Sequence, residues 1–385
     1  MPPTDRAHDV VLLGATGFTG ALTAAELAAR APSGSSWALA GRNRDKLAGV
    51  AERLGADVPL LSADVTDEAS MRALAESARV VISTVGPYAR YGEPLVAACA
   101  AAGTDYVDLT GEPEFVDRMY VHHHAEAERS GARIVHCCGF DSIPHDLGAQ
   151  FTVEQLPEGV PLEVEGFVRA GGKLSGGTLA SALGAFADLR GYAKAARERR
   201  RLEPRPENRR IHGERGAPHQ VADLGWALPM PTIDPQVVLR SARALERYGP
   251  DFSYGHYFVV RRLPVAAGIA GGALALVAAA QIPPARKLIL DRLPSGEGPS
   301  PEERERGWFK VRFHGEGGGR RVVCEVAGGD PGYGETARML CESALCLAFD
   351  DLPATAGQVT TAVAMGPALR ARLQAAGITF SVLES

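Results

Sequence analysis

Val10-Val11-Leu12-Leu13 is a short apolar run that ends directly in Gly14-Ala15-Thr16-Gly17-Phe18-Thr19-Gly20, and an Ala/Leu-rich stretch with helical spacing continues to Arg30. A buried strand, a glycine turn and a helix in immediate succession leave few folds open. Gly14 permits the tight strand-to-helix turn, Gly17 lets the backbone approach a pyrophosphate, and Gly20 lets the helix lie close on the sheet. The first N–H groups of such a helix have no intrahelical partner, and its dipole is positive at that end, so an anion is favoured there. Residues 14–20 are therefore all candidate cofactor contacts.

The next elements sharpen this expectation. Trp37 to Ala40 reads as a second strand leading into Gly41-Arg42-Asn43-Arg44. An acidic residue about twenty positions past the glycines would hold a ribose 2′-hydroxyl, whereas arginine suits a 2′-phosphate, which points to NADP(H). Arg42 and Asn43 are the candidates; the competing reading makes Arg42 and Arg44 solvated loop charges. A third strand, 58–62, leads to Asp64, which either accepts from the adenine amino group or caps a helix over 67–78. The fourth, 80–85, is continuously apolar and runs into Val85-Gly86-Pro87-Tyr88, at the strand edge where such sheets bind ligands. Two more strands, 106–109 and 134–138, complete a doubly wound parallel sheet. The spacing thus predicts an α/β Rossmann domain over 1–150, a second mixed α+β domain over 151–334, and a segment 335–385 that packs back on the first.

A net charge of −5 excludes electrostatic nucleic-acid binding as the main role, and the six cysteines show no metal-ligand spacing and suit a reducing cytoplasm. The polar N-terminus reaches its first strand too soon for a signal peptide. His122-His123-His124 invites a metal, but consecutive helical residues diverge around the axis, which favours a solvated face and no metal. Lys173 with Ser175–Thr178 could bind an anion or serve structure alone. The arginine-heavy stretch 194–215 reads as a surface excursion that could dock an acidic carrier protein, although its glutamates weaken that reading. Residues 265–280 carry no charged or hydrogen-bonding side chain between Arg261-Arg262 and Arg286-Lys287. They form either a buried helix or a peripheral helix lying at the inner face of the plasma membrane.

Longer motifs then carry a resemblance. Gly14–Gly20 has the GxxGxxG form of short-chain and extended reductases. With Ala40-Gly-Arg-Asn43, Val85-Gly-Pro-Tyr88, Tyr91-Gly-Glu-Pro94, Asp105–Pro113, Cys138–Pro144, Ser175–Thr178, Trp308–Lys310 and Gly328–Tyr333, the chain resembles the saccharopine dehydrogenase-like oxidoreductases. Within them it is similar to the bacterial trans-acting enoyl reductase group. The resemblance implies NADP(H) and reduction of a carbon–carbon double bond on an acyl chain held by a separate synthase or carrier protein, in lipid synthesis. Saccharopine enzymes instead reduce an imine, and other relatives occupy membranes without a settled reaction, so an imine reductase and a nucleotide-binding membrane scaffold remain alternatives. His145 stands where the family pattern has a smaller residue.

Enoyl reduction needs a hydride at the β-carbon, stabilisation of the enolate, and a proton at the α-carbon. Tyr88 is the first candidate donor and Tyr91 the second; Tyr88 could equally pack on the cofactor without donating. Asp141 and Ser142, after the sixth strand, either orient the nicotinamide or substrate carbonyl or cap the following helix. Glu112 would pair with a cationic substrate or form a structural ion pair. Cys137 and Cys138 read as core residues.

Overall fold

The computed structural model describes residues 6–171, 189–214, 216–290 and 298–385. Lys173 and Ser175–Thr178 lie outside the described residues. The first sheet contains β1 (His8–Leu13), β2 (Trp37–Gly41), β3 (Leu60–Ser62), β4 (Ala78–Ser83), β5 (Asp105–Asp108) and β6 (Arg133–Val135). Its order is β14-β6-β5-β4-β1-β2-β3, all parallel, where β14 is Gly357–Val359, contributed from near the C-terminus. The order reverses direction beside β1, which opens a crevice at the carboxyl ends of β1 and β4. β1 is buried beyond His8 and Asp9, and β4 apart from Arg79, as a sheet covered on both faces requires. The sixth strand is shorter than its apolar run, because Cys137 turns the backbone with φ +64°. All six cysteines are buried free thiols.

The second sheet contains β7 (Leu162–Gly171), β8 (Arg210–Gly213), β9 (His219–Val221), β10 (Gly225–Pro229), β11 (Asp251–Val260), β12 (Trp308–Gly317), β13 (Arg320–Gly328) and β15 (Thr379–Glu384). Its path is β15-β13-β12-β7-β11-β10-β9, with β8 beside β11. β12 and β13 form the hairpin expected from the triple glycine, and Gly318 and Gly319 both have positive φ, as a turn of matching twist demands. The helix Gly334–Phe349 packs against the first domain's sheet and against the helix Phe18–Arg30, so the C-terminal segment returns to the first domain, while β15 closes the second sheet.

Asp146 joins these parts. On the helix Ile143–Glu154, its carboxylate accepts from the Ser241 hydroxyl (2.5 Å), the Thr361 hydroxyl (2.6 Å) and the Ala362 N–H (2.8 Å). A fully buried carboxylate with three donors aligns that helix with the helix Asp234–Ala244 of the second domain.

The arginine-rich stretch differs from the expected surface excursion. Its first part lies in the helix Leu189–Leu202, and Arg199 is 4 % exposed, with its guanidinium 2.5 Å from Asp117 and also paired with Glu203. The histidine run also departs from expectation. His122 Nδ1 (2.8 Å) and His123 Nε2 (3.3 Å) both reach one oxygen of Glu93 on the neighbouring helix, while His124 stacks on Tyr120 and accepts from the Gln358 N–H. Adjacent helical side chains converge here because Glu93 lies in the groove between them, where Arg118 also reaches it.

Candidate active site at the carboxyl edge of the first sheet

The glycine loop has the form a pyrophosphate needs. Gly14 has φ +93°, and a Cβ there would stand 2.6 Å from the Thr84 hydroxyl. A Cβ at Gly20 would overlap the Gly14 carbonyl, so β1 and the helix Phe18–Arg30 meet backbone to backbone. Gly17 is the helix N-cap, exposed, with no side chain capping the helix and no acidic residue in its first turn. Thr16 is exposed beside it, whereas Ala15 is fully buried in the core and can offer only backbone. Phe18 turns its ring edge-on to Tyr333 at 4.9 Å, with the Arg304 guanidinium 5.9 Å away on the other domain's segment. Thr19 lies half-buried in the first turn, its carbonyl accepting from the Thr23 hydroxyl.

Arg42 and Arg44 are exposed at the end of β2. Asn43 caps the next helix through Lys46 N–H at 2.9 Å. Asp64 accepts from the N–H and hydroxyl of Thr66, and these bonds, with Arg42 nearby, hold its carboxyl below the usual range. Asp67, not Asp64, caps the helix that follows β3. Val85, Gly86 and Pro87 line the edge after β4, all at least partly exposed.

Tyr88 takes the structural course. Its hydroxyl donates to the Ser83 carbonyl (3.0 Å) and accepts from the Leu109 N–H (3.3 Å), and its ring packs against Phe115. Burial first, and the Asp108 carboxylate second, raise its pKa well above the phenol value. Both bonds tie the phenol into the sheet and favour the packing role that the sequence left open for it. The Glu112 carboxylate accepts from the N–H groups of Tyr88 (3.1 Å) and Ala89 (2.8 Å), fixing this turn rather than presenting a charge to a ligand. Tyr91 is half-buried, with the Arg90 guanidinium 5.0 Å from its ring.

Asp141 lies at the other side of the crevice. It is half-buried, on the loop after β6, and a Cβ on Gly111 would be 3.5 Å from its carboxylate, so it borders the loop after β5. Burial and then the Asp234 carboxylate push it up to about 7, with His145 opposing. The Ser142 hydroxyl is fully buried and makes no capping bond, although Ser142 occupies the N-cap position.

Behind Asp141 stands a buried group that sequence reasoning missed. His145 Nδ1 is 3.2 Å from Asp234 Oδ1, and His256 Nε2 is 3.4 Å from Asp234 Oδ2. The Thr232 hydroxyl donates to the same carboxylate, and the Tyr254 hydroxyl meets His256 Nδ1 at 3.2 Å. Burial alone would raise the Asp234 carboxyl, but His145 and then His256 hold it well below the usual range. Burial would lower His145, yet Asp234 and then Asp141 raise it. For His256 burial prevails and the imidazole stays neutral more readily. His145 stood out in the sequence only as a bulky residue in its motif. Asp234 opens a helix whose second residue is Pro235, an ordinary helix start, and neither it nor His256 carried a signal in the sequence.

Comparison with known proteins identifies the family. Residues 10–135 match the family model described as Saccharopine dehydrogenase NADP binding domain. A putative trans-acting enoyl reductase of Mycobacterium tuberculosis is 37% identical over 98% of this chain and 98% of its own. A trans-acting enoyl reductase of Mycobacterium bovis is 36% identical with the same coverage. The chain belongs to the trans-acting enoyl reductase family. Its first domain is an NADP-binding domain, and the open glycine loop fits that cofactor. In fold, the chain is similar to apo saccharopine dehydrogenase (L-Glu forming) of Saccharomyces cerevisiae, with a TM-score of 0.56 and 14% identity over 98% of this chain and 100% of the other.

Proposed function

We propose that the protein is an NADPH-dependent enoyl reductase acting on an acyl thioester held by a separate synthase, with Asp141 as the proton donor. The observation that carries this reading is the Asp141 carboxyl. It is half-buried at the carboxyl edge of the first sheet, beside Gly111, with its pKa pushed up to about 7. Residues 14–20 and 42–43 would hold NADPH, which when bound would supply the hydride. Asp141 in its acid form gives its proton to the α-carbon as the enolate π electrons close the new C–H bond, and is left as carboxylate. Its partial exposure lets water return the proton.

The acid form is present below its pKa, so turnover falls as pH rises through about 7. The test follows reduction of an enoyl N-acetylcysteamine thioester in D2O with NADPH. We expect deuterium at the α-carbon, a descending limb centred near that pH, and a loss of about 10²–10⁴ in kcat for Asp141→Asn without the limb. No reduction by the wild type would end the enoyl reading. An unchanged limb in the variant would remove Asp141 as donor.

Peripheral membrane contact is a second element of this proposal. The helices Leu263–Ala280 and Pro283–Leu290 leave Leu263, Val265, Ile282 and Leu288 about half exposed, beside exposed Arg261, Arg262 and Lys287. Among the described residues no helix is long and apolar enough to cross a membrane. Exposed apolar side chains with a basic flank support adsorption to an anionic bilayer. Flotation with phosphatidylglycerol-containing vesicles should carry the protein upward and leave Leu263→Ser/Ile282→Ser behind; equal behaviour of the two would refute the contact.

A further inference from the structure

The helix Leu189–Leu202 ends in Arg199-Arg200-Arg201, and the chain then turns through Pro204 and Pro206 into β8. This turn and the end of the helix Asp234–Ala244 enclose a cleft of about 450 Å³ whose lining includes Arg200, Glu203, Arg205, Arg209, Arg210 and Arg243. Five guanidinium groups thus face one carboxylate. That carboxylate is already committed: Glu203 pairs with Arg199, with Arg240 at 2.7 Å and with Arg243 at 3.7 Å. Arg209 donates to the carbonyls of Ala242, Arg243, Leu245 and Gly249 and makes no ion pair within 4.0 Å among the described residues, although the Glu246 carboxylate acts on it through space. Arg210 is 75% exposed and its acidic neighbour Asp251 is 3.7 Å away. Arg200 and Arg205 are exposed, with no ion pair within 4.0 Å among the described residues. Like charges crowded around a concave surface raise the local potential and favour an anion with several acceptor oxygens.

The helix Asp234–Ala244 also sets the distance to the reacting site. Asp234 touches the group behind Asp141, and Arg243 lies nine residues on, about 14 Å at 1.5 Å per residue. A pantetheine arm carries a phosphate at one end and the reacting thioester at the other, and its chain of single bonds, fully extended, exceeds this separation along the helix axis. We propose that the arginine cleft binds the phosphate of the phosphopantetheine arm by which a carrier protein presents the acyl chain. This rests on the enoyl reductase reading.

The test uses the full chain and the charge reversal Arg200→Glu/Arg205→Glu, at exposed positions outside the core. Three substrates share one enoyl group: a phosphopantetheinyl carrier protein, coenzyme A, and N-acetylcysteamine, which lacks phosphate. We expect KM for the carrier-bound substrate to rise by about tenfold or more with kcat unchanged, and the N-acetylcysteamine kinetics to stay as in the wild type. An unchanged KM for the carrier-bound substrate would overturn the proposal. A rise confined to the coenzyme A thioester would overturn the carrier as the source of the phosphate. If the wild type reduces none of the three, the enoyl reading fails, and calorimetric titration with 4′-phosphopantetheine against pantetheine decides the cleft separately. Phosphate-dependent binding lost in the variant supports it; equal binding of the two refutes it.

Discussion

Replacing Asp234 by Asn removes the one negative charge between His145 and His256 while keeping the side chain's shape. All three residues are buried, at 0%, 0% and 6% exposure, and the histidine contacts are 3.2 and 3.4 Å. Removing one partner from a buried pair leaves the other without compensation, which costs about 3–5 kcal/mol. The size must vary with pH. The folded-state pKa of His145 is raised, so its contribution is fully present below the unfolded value of about 6.5 and is lost as pH rises through the folded value. The Asp234 pKa is depressed, so its contribution is present above about 3.9 and is lost only as pH falls through the lowered folded value. His256 works against His145, because a histidine whose pKa is lowered destabilises the fold as pH falls below about 6.5. The wild type alone therefore shows a blunted profile, and the difference between wild type and variant isolates the pair.

Without Asp234 burial favours neutrality at both imidazoles, opposed at His145 by the Asp141 carboxylate, so the variant weakens on acidification. Urea unfolding followed by tryptophan fluorescence near pH 5.5 and near pH 8.5, on either side of the ordinary histidine value of about 6.5, measures the gap. We expect the deficit of Asp234→Asn to approach about 3–5 kcal/mol at the acidic pH and to shrink at the alkaline one. His145→Gln in the Asn background should recover part of it, since the buried cation is then gone as well. A deficit that is constant with pH, or larger on the alkaline side, would refute the charge assignment.

Two further outcomes follow from the cofactor cradle and its neighbour. Arg42→Ala should weaken NADPH about 10–100-fold in a fluorescence titration, the worth of a charge-assisted pair with a phosphate, and leave NADH unchanged; equal losses for both cofactors would contradict the 2′-phosphate role. Tyr88→Phe should retain turnover and lose about 1 kcal/mol of stability in urea, because among the described residues its hydroxyl bonds Ser83 and Leu109 alone; a fall in kcat of a hundredfold with intact stability would make it the donor.

The cofactor end of the crevice was readable because its determinants are local. A strand, three glycines and a helix start lie within one stretch, and each glycine's duty depends on neighbours a few residues away. Asp141 was singled out on local grounds too, as a polar residue on the loop after β6. Tyr88 shows where local reading stops. Its place on the edge after β4 was correct, but the direction of its hydroxyl depends on Ser83 and Leu109 across two strands and on Glu112 anchoring the turn. No spacing rule encodes those partners.

The group around Asp234 was invisible for a stronger reason. His145 follows the first sheet's last crossover, Asp234 opens a helix of the second domain, and His256 sits in β11, placed by parallel pairing with β7. Such convergence is a product of packing, and in the sequence each residue has an ordinary explanation of its own. The arginine run misled for a related reason, since a count of charges cannot say which ones face inward. Arg199 lies against Asp117 of the first domain, while the next residue, Arg200, turns to the open cleft. One helix, Asp234–Ala244, carries the buried carboxylate at its first residue and Arg240 and Arg243 near its last. Its orientation is fixed by Ser241 on Asp146 and by Arg209 on its terminal carbonyls. A substitution that tilts this helix should therefore disturb proton delivery and cleft binding together, whereas one at either end alone should separate them.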